Sequence, residues 1–236
     1  MPIPDKGLVY TGSRDPRQGP PGVQVRTIQI LIGQADLVGD LTIPEHATGV
    51  ILFAHGSGSS RHSPRNRYMA GELQQARFAT LLIDLLTTAE EQVDLQTMEY
   101  RFNIDMLAQR LIGLTDWHGL HSDLSSLPLG FFGASTGSAA ALIAAASRPD
   151  PVRAVVSRGG RPDLAVSSLS GVVAPTLLIV GGEDVPVIDW NRQALQLLKG
   201  QKKLEIIPGA THLFEEPGAL EQVAGLTVEW YRRYLL

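Results

Sequence analysis

The residues best equipped for chemistry in this chain lie in three short loops. Gly133-Ala134-Ser135-Thr136-Gly137 follows an apolar run, Leu127 to Phe132, and precedes an alanine-rich stretch, Ser138 to Ala146. This is G-x-S-x-G between a strand and a helix, where a sharp turn lifts the serine hydroxyl clear of the backbone. Such a hydroxyl can attack a carbonyl once a base takes its proton. The six histidines stand at 46, 55, 62, 118, 121 and 212, and only His212 follows Ser135. In the chain order nucleophile, acid, base, His212 in Gly209-Ala210-Thr211-His212 is therefore the candidate general base. Between the two, Gly181-Gly182-Glu183-Asp184 closes the apolar run Pro175 to Val180. It offers Asp184 as the carboxylate that orients the base, with Glu183 and Asp189 as next choices.

A fourth loop supports these three. His55-Gly56-Ser57-Gly58-Ser59-Ser60 follows the apolar run Gly49 to Ala54, and its small residues let the Ser57 N–H face a developing oxyanion. The N–H of Thr136 is the expected second donor, and His55 is expected to brace the loop by hydrogen bonds. Arg158 and Arg161, after the run Val152 to Ser157, are candidates to anchor an anionic substrate group, with Asp163 a competing partner. Other readings fall away. A dinucleotide fingerprint beginning at Gly56-Ser57-Gly58 would need glycine at 61, which is Arg61. His118 and His121 lack the accompanying carboxylates of a metal site and read as surface histidines. Arg61, Arg65 and Arg67 read as a solvated helix start.

The elements that must hold these loops follow from hydrophobic rhythm. Val23 to Leu31 and Ala35 to Ile43 alternate as two strands around Gly33-Gln34, an antiparallel hairpin. Gly49 to Ala54, Thr80 to Asp84, Leu127 to Phe132, Val152 to Ser157, Pro175 to Val180 and Leu204 to Ile207 read as further strands. Helical faces lie between them: Met69, Leu73 and Ala76; Ile104, Leu107, Ala108, Leu111 and Leu114; Ala194, Leu195 and Leu198. Ala219, Val223, Leu226 and Trp230 mark a closing helix. This alternation predicts an α/β fold, a mostly parallel twisted sheet of about eight strands with helices on both faces. One catalytic domain is expected over 23–236, preceded by an extended or mobile arm over 1–22, rich in proline and glycine.

Composition narrows the partners. A net charge of −4 gives no electrostatic case for nucleic acid or an anionic membrane. The absence of cysteine excludes disulfides, a thiol nucleophile and cysteine-ligated zinc. No signal peptide or membrane span is read from the chain, so a soluble cytoplasmic protein is expected. No cofactor and no metal are expected, only a small-molecule substrate, and homo-oligomerisation is left open.

Taken in order, H-G-S-G-S-S at 55–60, T-L-L-I-D at 80–84, G-A-S-T-G at 133–137, V-G-G-E-D at 180–184 and G-A-T-H at 209–212 resemble the dienelactone hydrolase-like branch of the α/β-hydrolase superfamily. The resemblance covers the chain from about Val23 to its end. It implies an α/β-hydrolase fold, a cofactor-free hydrolase and a triad on Ser135, Asp184 and His212. Dienelactone hydrolases proper use a cysteine nucleophile where this chain has Ser135. The expected activity is therefore that of a serine esterase on small carboxylic esters or lactones, through an acyl-serine intermediate. A thioesterase or peptidase on the same triad, or a non-catalytic binding domain that keeps the fold, are the alternatives. Members of this kind lack a large lid, and the 158–174 stretch between two strands is too short for one. Some relatives are joined to phosphoribosyltransferase domains, for which 236 residues leave no room.

Overall fold

The hairpin expected after residue 23 opens the sheet. In the computed structural model, which describes residues 23–236, β1 (Gln24–Ile32) and β2 (Ala35–Ile43) pair antiparallel around Gly33-Gln34. The arm expected over 1–22 lies outside the described residues. Ile28, Ile30, Leu37 and Leu41 turn inward, whereas Leu31 stays exposed. That is the period of two expected of strands covered on one face.

The rest of the sheet is built from β3 (Gly49–Ala54), β4 (Phe78–Ile83), β5 (Leu129–Ala134), β6 (Val152–Arg158), β7 (Thr176–Gly181) and β8 (Lys202–Ile207). The strand order is β1-β2-β4-β3-β5-β6-β7-β8, with β2 antiparallel to β4 and every later pairing parallel. Every residue of β3, β4, β5 and β7 is buried, as continuous apolar runs require of strands covered on both faces.

Seven helices lie among the described residues: α1 (Pro64–Gln75), α2 (Thr88–Thr97), α3 (Ile104–Leu120), α4 (Thr136–Ser147), α5 (Val166–Leu169), α6 (Val185–Leu197) and α7 (Ala219–Leu235). Successive strand residues feed opposite cores. Leu52, Phe131 and Val155 pack with α3 and α4, while Phe53, Phe132 and Val156 pack with α1 and α7. Tyr231 of α7 donates its hydroxyl to the Phe131 carbonyl at 2.6 Å, a buried tie between helix and central strand.

From β3 the chain steps to β4 on one side, then crosses back to β5 on the other and continues outward. The chain leaving β3 leads to α1 and the chain leaving β5 leads to α4, which pack on opposite faces of the sheet. The loops singled out from the sequence, 55–60 and 133–137, meet at this switch in strand order.

Several expectations are corrected. Strand β5 starts at Leu129 rather than Leu127, whose N–H is taken by the Leu124 carbonyl in the preceding turn. Strand β8 starts at Lys202, because an edge strand carries exposed lysines that hide it from a hydrophobic search. Helix α2 was not anticipated. It buries only Asp94 among its residues, so it shows no apolar stripe, although its Thr87–Glu90 capping box stands in the sequence.

His118 and His121 are buried rather than on the surface. His118 lies four residues after Leu114, on the inward face of α3, and His121 packs at a tilt against Trp117 with ring centroids 4.8 Å apart. Arg61 is not solvated either, since its guanidinium and its backbone N–H both bond Asp84. Between β6 and β7 the chain makes only a short 3-10 turn (Pro162–Ala165) and α5. Among the described residues no helix is long and apolar enough to cross a membrane.

Candidate active site

Ser135 sits between β5 and α4 with φ of +49° and ψ of −123°, a backbone conformation that residues with a Cβ rarely adopt. Close packing on both flanks enforces it. A Cβ at Gly133 would collide with Ser138, and one at Gly137 would collide with the carbonyls of Ala54 and His55. Strained geometry of this kind persists only when its surroundings over-determine it, and hydrogen bonds complete that frame. The Ser135 N–H donates to the Arg158 carbonyl at 3.1 Å, and the Arg161 N–H donates to the Ser135 carbonyl at 3.2 Å. Ser138, unremarked in the sequence, donates its hydroxyl to the Ser135 carbonyl at 2.7 Å and accepts from the Arg161 N–H at 3.1 Å. Its only signal was a small polar residue on the first turn of an alanine-rich helix.

The loops that carry Asp184 and His212 are joined by their backbones before the side chains meet. The Gly182 N–H donates to the Ile207 carbonyl at 2.8 Å and the Glu183 N–H to the Ala210 carbonyl at 3.0 Å. Buried Phe214 anchors the loop beyond His212 in the core under α7. Asp184 is the N-cap residue of α6, yet its side chain does not cap the helix. Pro186 stands at the second helical position and has no N–H to offer a capping oxygen. The carboxylate reaches His212 Nδ1 instead, at 2.6 Å. On the other side of the ring, His212 Nε2 lies 3.3 Å from Ser135 Oγ.

An ionised carboxylate only accepts, so Nδ1 carries the imidazole proton and Nε2 presents its lone pair to the Ser135 hydroxyl. The runner-up acids stand apart. Glu183 is exposed, and Asp189 pairs with Arg192 on the surface of α6 at 3.2 Å.

In the loop after β3, His55 braces as expected. Its Nε2 accepts the Leu85 N–H at 3.0 Å, which leaves the proton on Nδ1 to reach the Gly56 carbonyl at 2.9 Å. A ring held between a donor and an acceptor must stay neutral, and desolvation lowers its pKa below 6.5. Burial lowers the pKa of His118 and His121 as well. These groups bind protons more weakly folded than unfolded, so their stability contribution is complete above about pH 6.5 and falls as pH drops through the lowered values. Thermal unfolding is expected to show Tm declining from pH 7 toward pH 5.5. A flat Tm over that range would contradict the neutral His55 brace.

The Ser57 N–H does not face open space. It donates to Thr136 Oγ1 at 2.8 Å. Beside this loop lies a cavity of about 70 Å³, lined in part by His55, Ser57, Leu86, Leu95 and Leu107. Helix α2 supplies Leu95, which explains why the cavity was invisible in the sequence.

The two arginines behave differently. Arg161 is committed to Asp163 through two bonds of 2.9 and 2.7 Å, and its guanidinium lies 4.2 Å from the Trp190 ring centroid. Arg158 is only 7% exposed and its Nη1 has no hydrogen-bond partner among the described residues. Its guanidinium lies 5.8 Å from the Phe132 ring centroid. Burial and the nearby Arg65 charge bring its pKa down to about 10, which leaves it charged at neutral pH. Among the described residues no group of three or more His, Cys, Asp or Glu could hold a metal ion.

No family model matches the chain. A curated Mycobacterium tuberculosis protein, present in two strains and named only provisionally as a phosphoribosyl transferase, is 53% identical over 230 residues. The match takes in 98% of this chain and 51% of the relative, so the chain spans about half the length of the curated relatives it matches. A solved dienelactone hydrolase from Anabaena variabilis is 60% identical, with a TM-score of 0.90 over 91% of this chain and 100% of that one. A cold-adapted esterase from an Arctic intertidal metagenomic library is 16% identical, with a TM-score of 0.74 over 95% of this chain and 100% of that one, a likeness of fold alone. With 60% identity across the whole of a dienelactone hydrolase, this chain belongs to the dienelactone hydrolase-like α/β hydrolases.

Proposed function

We propose that the chain is a serine hydrolase of small carboxylic esters or lactones, acting through an acyl-serine intermediate. The observation that carries this reading is the connected run of side chains from Asp184 through His212 to Ser135, with the imidazole tautomer set for proton abstraction. His212 Nε2 takes the Ser135 proton as Oγ bonds to the substrate carbonyl carbon. The resulting oxyanion is held by donors at the first turn of α4, which the Ser57 N–H supports from the loop after β3. Collapse expels the alcohol, which leaves with the proton from His212. Water then attacks the acyl-serine with His212 again as base. Asp184 holds the imidazole in register and stabilises its charged form. The Ser135–His212 distance of 3.3 Å is ordinary for a site without substrate.

The short 158–174 segment, which leaves no room for a large lid, favours small, open substrates such as short-chain esters. Arg158, charged and under-partnered at the end of β6, supports a preference for esters that carry an anionic group. Arg161 no longer shares that role, because Asp163 holds its fork. We assign the transferase name of the curated relatives to the portion of them that this chain does not span.

The test is fluorophosphonate labelling with peptide mapping, alongside hydrolysis of short p-nitrophenyl esters with and without a carboxylate. Label on Ser135 with turnover is the expected result, with a lower KM for the acidic esters. Folded protein that takes no label would favour the non-catalytic binding domain. Equal KM for acidic and neutral esters would remove Arg158 from the site.

A further inference from the structure

Resting on the acyl-serine reading above, we propose that Thr136 gives its side-chain hydroxyl as well as its amide to the oxyanion, and that the Ser57 N–H acts through that hydroxyl. Oxyanion donors must point at a vacant position about 2.7–3.1 Å away. The Ser57 N–H instead has Thr136 Oγ1 at 2.8 Å. A hydroxyl has one proton to donate. Having accepted from Ser57, Thr136 Oγ1 finds no acceptor for its own proton among the described residues. That proton belongs to the residue next to the nucleophile, on the first turn of α4, where amides lack intrahelical acceptors and the helix dipole favours negative charge.

The alternative is that an oxyanion displaces the hydroxyl and takes the Ser57 N–H directly. Thr136 is 3% exposed and β-branched, so its side chain has little freedom to swing away. Displacement would also strand a buried hydroxyl without the partner it now has. The relay keeps every bond already present. Accepting the Ser57 N–H polarises the Thr136 O–H and strengthens it as a donor.

In the addition step the Ser135 Oγ–C bond forms, the Ser135 proton goes to His212 Nε2, and the carbonyl π pair moves onto oxygen. That oxygen accepts hydrogen bonds from the Thr136 N–H and O–H. The Thr136 proton is not transferred. On collapse the electron pair returns, the C–O bond to the alcohol breaks, and the His212 proton leaves with it.

The experiment compares Thr136→Val and Thr136→Ser on short p-nitrophenyl esters. Loss of one oxyanion donor lowers kcat about a hundredfold, so Thr136→Val is expected to do this with KM nearly unchanged. Thr136→Ser keeps the hydroxyl and is expected to recover most of the kcat that Thr136→Val loses. A Thr136→Val kcat equal to or above the parent would overturn the relay, because it would mean that the freed Ser57 N–H serves directly. If circular dichroism shows Thr136→Val unfolded, Thr136→Ala replaces it. An alanine variant as active as the serine variant would overturn the proposal equally. Fluorophosphonate mapping of the parent protein keeps the two ideas separate. Label absent from Ser135 refutes the acyl-serine reading itself, whereas label on Ser135 with an unimpaired Thr136→Val refutes only the relay.

Discussion

Replacing Ser135 with glycine is expected to abolish ester hydrolysis while making the protein more stable. The hydroxyl at 135 is the proposed nucleophile, and its loss lowers turnover by about 10⁴- to 10⁶-fold in triads that act as a unit. The same residue holds φ at +49°. A non-glycine residue in such a region costs about 1–3 kcal/mol, which glycine escapes. Part of that gain is returned, because glycine loses more backbone freedom on folding. A net gain of about 1 kcal/mol would raise Tm by roughly 2–4 °C in a domain of this size.

Ser135→Ala is the control. It removes the hydroxyl but keeps the Cβ, so it is expected to lose activity equally and leave Tm near that of the parent. Calorimetry on both variants, read with residual turnover, separates strain from chemistry. Substantial activity in either variant would remove Ser135 from its proposed role. A glycine variant no more stable than the alanine variant would mean that the elbow carries no strain.

Asp184→Asn is expected to lower kcat by about 10³- to 10⁴-fold with the fold intact. The carboxylate at 2.6 Å from His212 Nδ1 only accepts. An amide can instead turn its NH₂ toward Nδ1, which drives the ring proton to Nε2 and leaves no lone pair for the Ser135 hydroxyl. Glu183→Gln and Asp189→Asn are expected to change kcat by less than about twofold, since these acids face solvent away from the imidazole. Steady-state kinetics on the three variants decides. Full activity in Asp184→Asn, or loss in either control, would move the orienting role away from Asp184.

The legibility of this site varied with how local its causes are. The elbow around Ser135 was readable because a tight strand-to-helix turn constrains the residues beside it, and Gly133 and Gly137 record the lack of room. His212 followed from chain order. Asp184 was preferred over Glu183, and the physical reason lies partly in sequence, since Pro186 removes an amide that would compete for the carboxylate. The rest of that reason is tertiary: two backbone bonds between the 181–184 loop and the chain after β8 bring the carboxylate to the imidazole.

Most of the misread residues are those whose burial and partners leave no trace in the local hydrophobic pattern. Arg61 resembled a solvated helix residue until β4 brought Asp84 beside it. His118 looked like a surface residue although its spacing from Leu114 puts it on the buried face of α3. Helix α2 is tied to the buried Arg110 of α3 through Glu90 and buries only Asp94 among its own residues, so it lacks the apolar period that marks a helix. Arg158 and Arg161 read as equals, yet alternation along β6 buries the first under-partnered while the second meets Asp163 locally.

The sequence by itself determined the alternation of strands and helices and singled out Ser135, His212 and Asp184 as the candidate nucleophile, base and acid, because hydrophobic period and turn chemistry act over a few residues. Tertiary structure decided the strand order, the meeting of the 55–60 and 133–137 loops, the cavity lined in part by α2 and the partner of the Ser57 N–H. Those depend on which distant segments are brought into contact, through hydrogen bonds such as Ser57 to Thr136 that span 79 positions of the chain. No local pattern encodes such a bond, because its energy exists only once the sheet has assembled.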